Sequence, residues 1–154
     1  MSYAFIAEVN AELRRRHPGL TTAVGWKERS KHTQPPSVCW VADKAAYGDA
    51  MTRDDRVTQS IAGRTLAFNV DVWGRDPDET NALVKSVVRV CHRLGTVGAY
   101  AIEGEEWTGL EGSGGAILGE MATLTVSIRD DVDDDAEPAV AAPNPAAPPT
   151  GGFT

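Results

Sequence analysis

Apolar and polar positions alternate most regularly through residues 66–73, where Leu66, Phe68, Val70 and Val72 fall on one pleat face. Asn69, Asp71 and Trp73 fall on the other. A helix signal follows at once: Leu83, Val84, Val87, Val88, Cys91 and Leu94 form a stripe at helical spacing. Asp76 is a natural N-cap, Pro77 suits the first helical position, and Glu79 completes a capping-box-like pattern. Gly95 sits where a helix-ending C′ glycine belongs. The strand face and the helix stripe each need a partner, so this segment by itself predicts a sheet with a helix packed on it.

The rest of the chain extends that picture. Phe5, Ile6, Val9 and Leu13 share a face and predict a first helix over residues 3–16, stopped by Pro18-Gly19. Arg14, Arg15 and Arg16 fall in its last turn, where cations suit the negative end of the helix dipole; pointing in different directions, they read poorly as a phosphate site. Residues 21–26 and 37–42 read as strands, the second more continuously apolar. Residues 43–60 show no sustained period and mix Tyr47, Met51 and Val57 with charges, which predicts a contact arm or hairpin extension. Residues 97–102 predict a short strand, and 103–115 an acidic, glycine-rich turn region around Trp107. Residues 117–129 predict a last strand with Leu118, Ala122, Leu124, Val126 and Ile128 on one face and Gly119, Met121, Thr123, Thr125 and Ser127 on the other. The order is α-β-β-arm-β-α-β-β. It predicts an α+β fold: a largely antiparallel or mixed sheet with two helices on one face, an extended arm at 43–60, and an irregular C-terminal tail after a domain spanning 1–129.

Composition refines this frame. A chain of 154 residues supports one domain with a real core. The net charge of −7 misleads, because Asp130, Asp131, Asp133, Asp134, Asp135 and Glu137 lie in a stretch without Lys or Arg. Residues 1–129 hold 16 acids against 15 bases, so the domain lacks the basic excess typical of a DNA binder. Residues 130–154 pass from this acidic run into Ala/Pro-rich sequence that cannot repay its chain entropy by burial. Two cysteines do not make a disulfide scaffold; Cys39 and Cys91 read as small core residues, bridged only if their elements stack. The chain shows no apolar run of membrane-spanning length and no signal-peptide pattern at its start, which predicts residence in a cytoplasm.

Candidate chemistry is sparse. His17, His32 and His92 are scattered without a second ligand at helical spacing, so no metal is predicted. The acidic run at 130–135 lacks the glycine and terminal glutamate of a calcium loop. The glycines of 109–115 are not followed by the Lys-Ser/Thr and helix of a phosphate cradle. Glu103, Glu105 and Glu106 are the only candidates for acid–base work, and turn solubility accounts for them better. No catalytic residue and no cofactor is predicted. Trp40 reads as core. Trp73, on the polar parity of its strand, reads either as a cover over a helix end or as an anchor at a subunit contact.

Residues 35–41 (Pro-Pro-Ser-Val-Cys-Trp-Val), the irregular segment after them, Phe68-Asn-Val-Asp-Val-Trp-Gly74, the Pro-Asp-Glu helix ending in Cys91-His92, then Tyr100 and Glu106-Trp107, form a succession of short motifs. In that succession the chain resembles the tail terminator (tail completion) proteins of long-tailed bacteriophages over residues 3–129. The resemblance implies a small α/β subunit that forms a hexameric ring on the end of the tail tube, stops its polymerisation, and presents the surface that joins the head connector or neck protein. It implies no enzymatic activity and no cofactor, assembly in the host cytoplasm, and DNA passing through the lumen without sequence-specific binding. By position it implies subunit or partner contacts at Lys44, Tyr47, Met51, Arg53, Arg56 and Val57 of the arm. Trp73 and the last-strand residues Met121, Thr123 and Thr125 join them as candidates, because a closed ring needs one patch that meets a different patch on the next copy. The Ala/Pro-rich tail departs from the family pattern. Two other readings stand beside this one: a head–tail connector or other neck protein, and, from a different class, a small hydrolase using Glu103, Glu105 or Glu106.

Overall fold

The computed structural model describes residues 2–25, 34–50, 60–96, 98–111 and 117–133. The elements are α1 (Ser2–Arg16), β1 (Thr21–Val24), β2 (Ser37–Ala50), β3 (Ser60–Trp73), α2 (Pro77–Leu94), β4 (Tyr100–Glu111), β5 (Ile117–Arg129) and a two-residue β6 (Val132–Asp133). The fold is α+β. Its mixed sheet has the order β1-β2-β3-β5-β4, with β6 on β3. β1 runs parallel to β2, whereas β5 is antiparallel to both β3 and β4.

The alternating segment does what its pattern demands. Phe68, Val70 and Val72 are fully buried, and each faces a buried partner on β5: Val126, Leu124 and Ala122. Both helices close over this face. Ile6, Val9 and Leu13 of α1 and Leu83, Val84, Val87, Val90 and Cys91 of α2 join one core with it. Trp40 of β2 completes the core, edge-on to Phe68 at 6.2 Å between ring centroids. Its indole Nε1 donates to Asn10 Oδ1 at 2.9 Å, which explains a buried asparagine on the apolar face of α1. The apolar run of β2 is buried on both sides: Val38 and Trp40 toward the helices, Cys39 and Val41 away from them with Ala23.

The turn into α2 is built from side-chain caps. Asp76 Oδ1 accepts from Glu79 N at 2.8 Å, and Glu79 Oε1 reaches back to Arg75 N at 2.6 Å. Thr80, fully buried, accepts from Gly74 N at 2.9 Å, and its hydroxyl lies 3.2 Å from Glu120 O, which ties the turn to β5. Gly74 is required by space: a Cβ there would lie 2.5 Å from Thr80 N.

Three expectations are corrected. Gly95 is not a left-handed C′ glycine; its φ is −82°, and its side chain is excluded because a Cβ would run into the Tyr100 ring and lie 2.7 Å from Cys91 O. Val88 and Leu94 are exposed rather than in the α2 stripe, since they lie at its margins while Val90, also at helical spacing, takes the buried place. Residues 103–111 are strand, not turn: β4 pairs along β5 throughout, with a bulge between Ile102 and Gly104 that shifts its alternation. Strand β2 continues to Ala50 and β3 begins at Ser60, so the described ends of the segment read as an arm or hairpin extension are strands, while residues 51–59 lie outside the described residues.

The chain divides into two compact units. The first comprises residues 1–46 and 65–130 and holds the core just described. The second comprises residues 47–64 and 131–154. Within it, Ser60 and Ala62 of β3 pair with Asp133 and Val132, Arg64 N donates to Asp131 Oδ1 at 3.1 Å, and the Arg64 guanidinium lies 6.0 Å from the centre of the Tyr47 ring. Within the acidic run, Val132 and Asp133 are thus strand, because they find a ladder partner in β3.

Two substitutions check this account by urea unfolding. Asp76→Ala removes the cap and lowers stability by about 1 kcal/mol. Gly95→Ala costs about 1–3 kcal/mol through the clash with Tyr100, although the backbone angle there suits alanine.

Candidate interaction surfaces

The sheet face turned away from the helices gathers several of the sequence candidates. In register, Trp73 faces Met121, Asp71 faces Thr123 and Asn69 faces Thr125. Trp73, Met121, Thr123 and Thr125 are all half-buried. Asp71 is only 4% exposed, and its Oδ1 accepts from Thr123 Oγ1 at 2.8 Å, so the most buried charge on this face is held by a hydroxyl. The surface grades from the apolar Cys39 and Val41 to this polar row.

The remaining candidates are distributed differently. Lys44 and Tyr47 lie exposed on β2, Tyr47 at 63%, Lys44 in the first unit and Tyr47 in the second. Met51, Arg53, Arg56 and Val57 lie outside the described residues, as do His32 and Trp26.

The three glutamates considered for hydrolysis all lie on β4, where the adjacent pair Glu105 and Glu106 diverges. Glu105 is opposite Leu124 and Glu106 opposite Thr123, so successive side chains leave the strand on opposite sides. Glu103 Oε1 accepts from Ser127 Oγ at 2.5 Å, and Glu105 Oε2 accepts from Trp107 Nε1 at 2.6 Å. Glu105 and Glu106 cannot face each other across one bond, which is what a carboxylate pair in glycoside hydrolysis requires.

Two clefts open on the first unit. One, of about 210 Å³, lies among Phe5, Leu94, Tyr100 and Ile128, with Glu8 and Arg129 at its polar side. Phe5 and Tyr100 stack across it with ring centroids 5.8 Å apart. The other, of about 330 Å³, is lined by Thr65, Glu103, Ser127 and Arg129. Among the described residues no three His, Cys, Asp or Glu side chains come together as metal ligands, and no helix is long and apolar enough to cross a membrane.

The arginines ending α1 are tied down locally. Glu12 bonds both Arg15, at 2.6 Å, and Arg16, at 2.7 Å, while Arg14 donates to Thr22 Oγ1 on β1. Hydrogen bonds from the Arg15 and then the Arg16 guanidinium lower the Glu12 carboxyl to about 2. His17 meets Ser86 Oγ at 2.8 Å, linking the end of α1 to α2. Cys39 and Cys91 are both buried, on opposite sides of the sheet, and form no disulfide. Burial pushes the Cys91 thiol up to about 12.

The surface that sequence reasoning missed is β4. Trp107 is 39% exposed on it, and Ala101 and residues 103–109 are all exposed. Its alternation was masked by glycines and by the bulge, which moves Glu105 and Trp107 onto the parity of Leu124 and Ala122.

No family model matches this chain, and no curated protein matches it.

Titration provides two checks. In carbon-detected NMR the Glu12 carboxyl titrates near pH 2; because its folded value is depressed below the usual 4.5, its contribution to stability is complete above that pH and disappears as pH falls toward 2. A thiol reagent at neutral pH leaves both cysteines unmodified in the folded protein and labels both in denaturant.

Proposed function

We propose that this chain is a virion structural protein of a long-tailed bacteriophage: a tail terminator that forms a ring, hexameric in its family, on the end of the tail tube. There it ends tube polymerisation and presents the docking surface for the head–tail connector. The resemblance of residues 3–129 suggests the reading. The observation that carries it is the helix-free sheet face, where Trp73, Met121, Thr123 and Thr125 lie side by side and only half-buried. A tryptophan beside a methionine on an otherwise polar, internally hydrogen-bonded face has the composition of a contact surface, with a large anchor inside a satisfied polar surround. The near-neutral charge of residues 1–129 suits a ring through which DNA passes without being held.

The test is the solution mass of the full chain by light scattering, with negative-stain microscopy, alone and mixed with tail-tube protein. A closed ring in either condition is the expected result, and a monomer in both counts against the proposal. Trp73→Ala leaves the circular dichroism spectrum unchanged and weakens ring or partner binding by about 2 kcal/mol or more, the usual scale of an aromatic anchor.

A further inference from the structure

The sheet ends in two different strands, and their surroundings carry opposite charge. At one end is β4, twelve residues long, with no strand paired on its outer side among the described residues. It contains Glu103, Glu105, Glu106 and Glu111 and no Lys or Arg. At the other end is β1, four residues long, likewise paired on one side only among the described residues. The last turn of α1, which carries Arg14, Arg15 and Arg16, precedes β1 in the chain. Glu12 offsets two of these arginines in part, while the exposed Arg14 reaches over β1 to Thr22.

A long exposed edge strand is a template for pairing with another chain, and proteins normally blunt such edges. Here the charges on β4 are all of one sign, which repels a second β4 and favours a basic edge. The basic edge is supplied by the same molecule, at the opposite end of its sheet. We infer that β4 of one copy adds alongside β1 of the next, with Glu105, which leaves β4 on the helix-covered side, meeting Arg14 and the exposed Trp107 covered in the contact. The two patches are different and lie at opposite ends of one sheet, so the contact is head-to-tail, the kind that closes rings or extends filaments. Like-charge repulsion between two β4 strands disfavours the symmetric dimer. This inference rests on the ring-forming role and specifies its lateral interface, leaving the helix-free sheet face to the tube or the connector.

A charge swap in the full chain tests it. Glu105→Arg and Arg14→Glu, each exposed, retain the native circular dichroism spectrum and each weaken self-association about tenfold or more by sedimentation. The double variant regains most of the loss, since the reversed charges meet across the interface, and raising the salt concentration weakens the unmodified protein in the same direction. Rings that form equally well in both single variants, or that only Trp73→Ala disrupts, overturn this interface and leave the ring-forming role standing. Loss in Glu105→Arg without recovery in the double variant assigns β4 to another partner and also overturns it. A chain that never self-associates, alone or on the tube, removes both.

Discussion

One face of β3 and β5 has to be kept dry, and most of the structure follows from that. The buried row Phe68, Val70 and Val72 meets Val126, Leu124 and Ala122 across the ladder, so the strands cannot slip by one residue without turning the whole set to water. Neither helix covers the row alone. α2 closes over it with Leu83, Val84, Val87 and Val90, and α1 with Ile6, Val9 and Leu13. Trp40 is the piece both layers share. Its indole N–H would be stranded in this core without Asn10, so the one buried amide of α1 fixes how that helix sits on the sheet.

How much of this was legible depended on whether the signal was local. The alternation of β3, the cap at Asp76 and the apolar side of β5 from Ala122 to Ile128 are read within a dozen residues, and all are present as the pattern requires. The side chain of Leu118 lies outside the described residues. The double-sided burial of β2 is likewise visible as a continuous apolar run. What escaped depended on long-range contacts. Thr80 looks like an ordinary first-turn residue, yet it joins Gly74 to Glu120 across forty positions of chain. Gly95 has the right residue in the right place for the wrong reason, because the Tyr100 ring, not a left-handed backbone, excludes a side chain.

The misreading of β4 has a physical cause with consequences for the surface. A strand at a sheet edge, exposed along most of its length, has no need of an apolar face, so glycines and glutamates can fill it and periodicity vanishes. The bulge at Ile102 and Gly104 then breaks what alternation is left. The same features that hide the strand from a pattern search mark it as solvent-facing, acidic and open. Of the contact candidates, the structure groups Trp73, Met121, Thr123 and Thr125 on one face, and places Lys44 and Tyr47 in separate units.

The distribution of polar satisfaction separates the two kinds of surface. On the helix-free face, Asp71 is buried and already bonded to Thr123, so its polar row asks nothing further of a partner, and Trp73 with Met121 is left as the apolar area still to be covered. At the sheet edges the position is reversed: the outer backbone groups of β1 and β4 have no ladder partner among the described strands, and the charges beside them are opposite in sign. Burial of a satisfied face yields binding energy with little directional demand, whereas backbone pairing imposes a register and a direction. A subunit that must repeat at a fixed angle needs the second kind of contact between copies. The first kind is enough where it meets a flat partner along the axis.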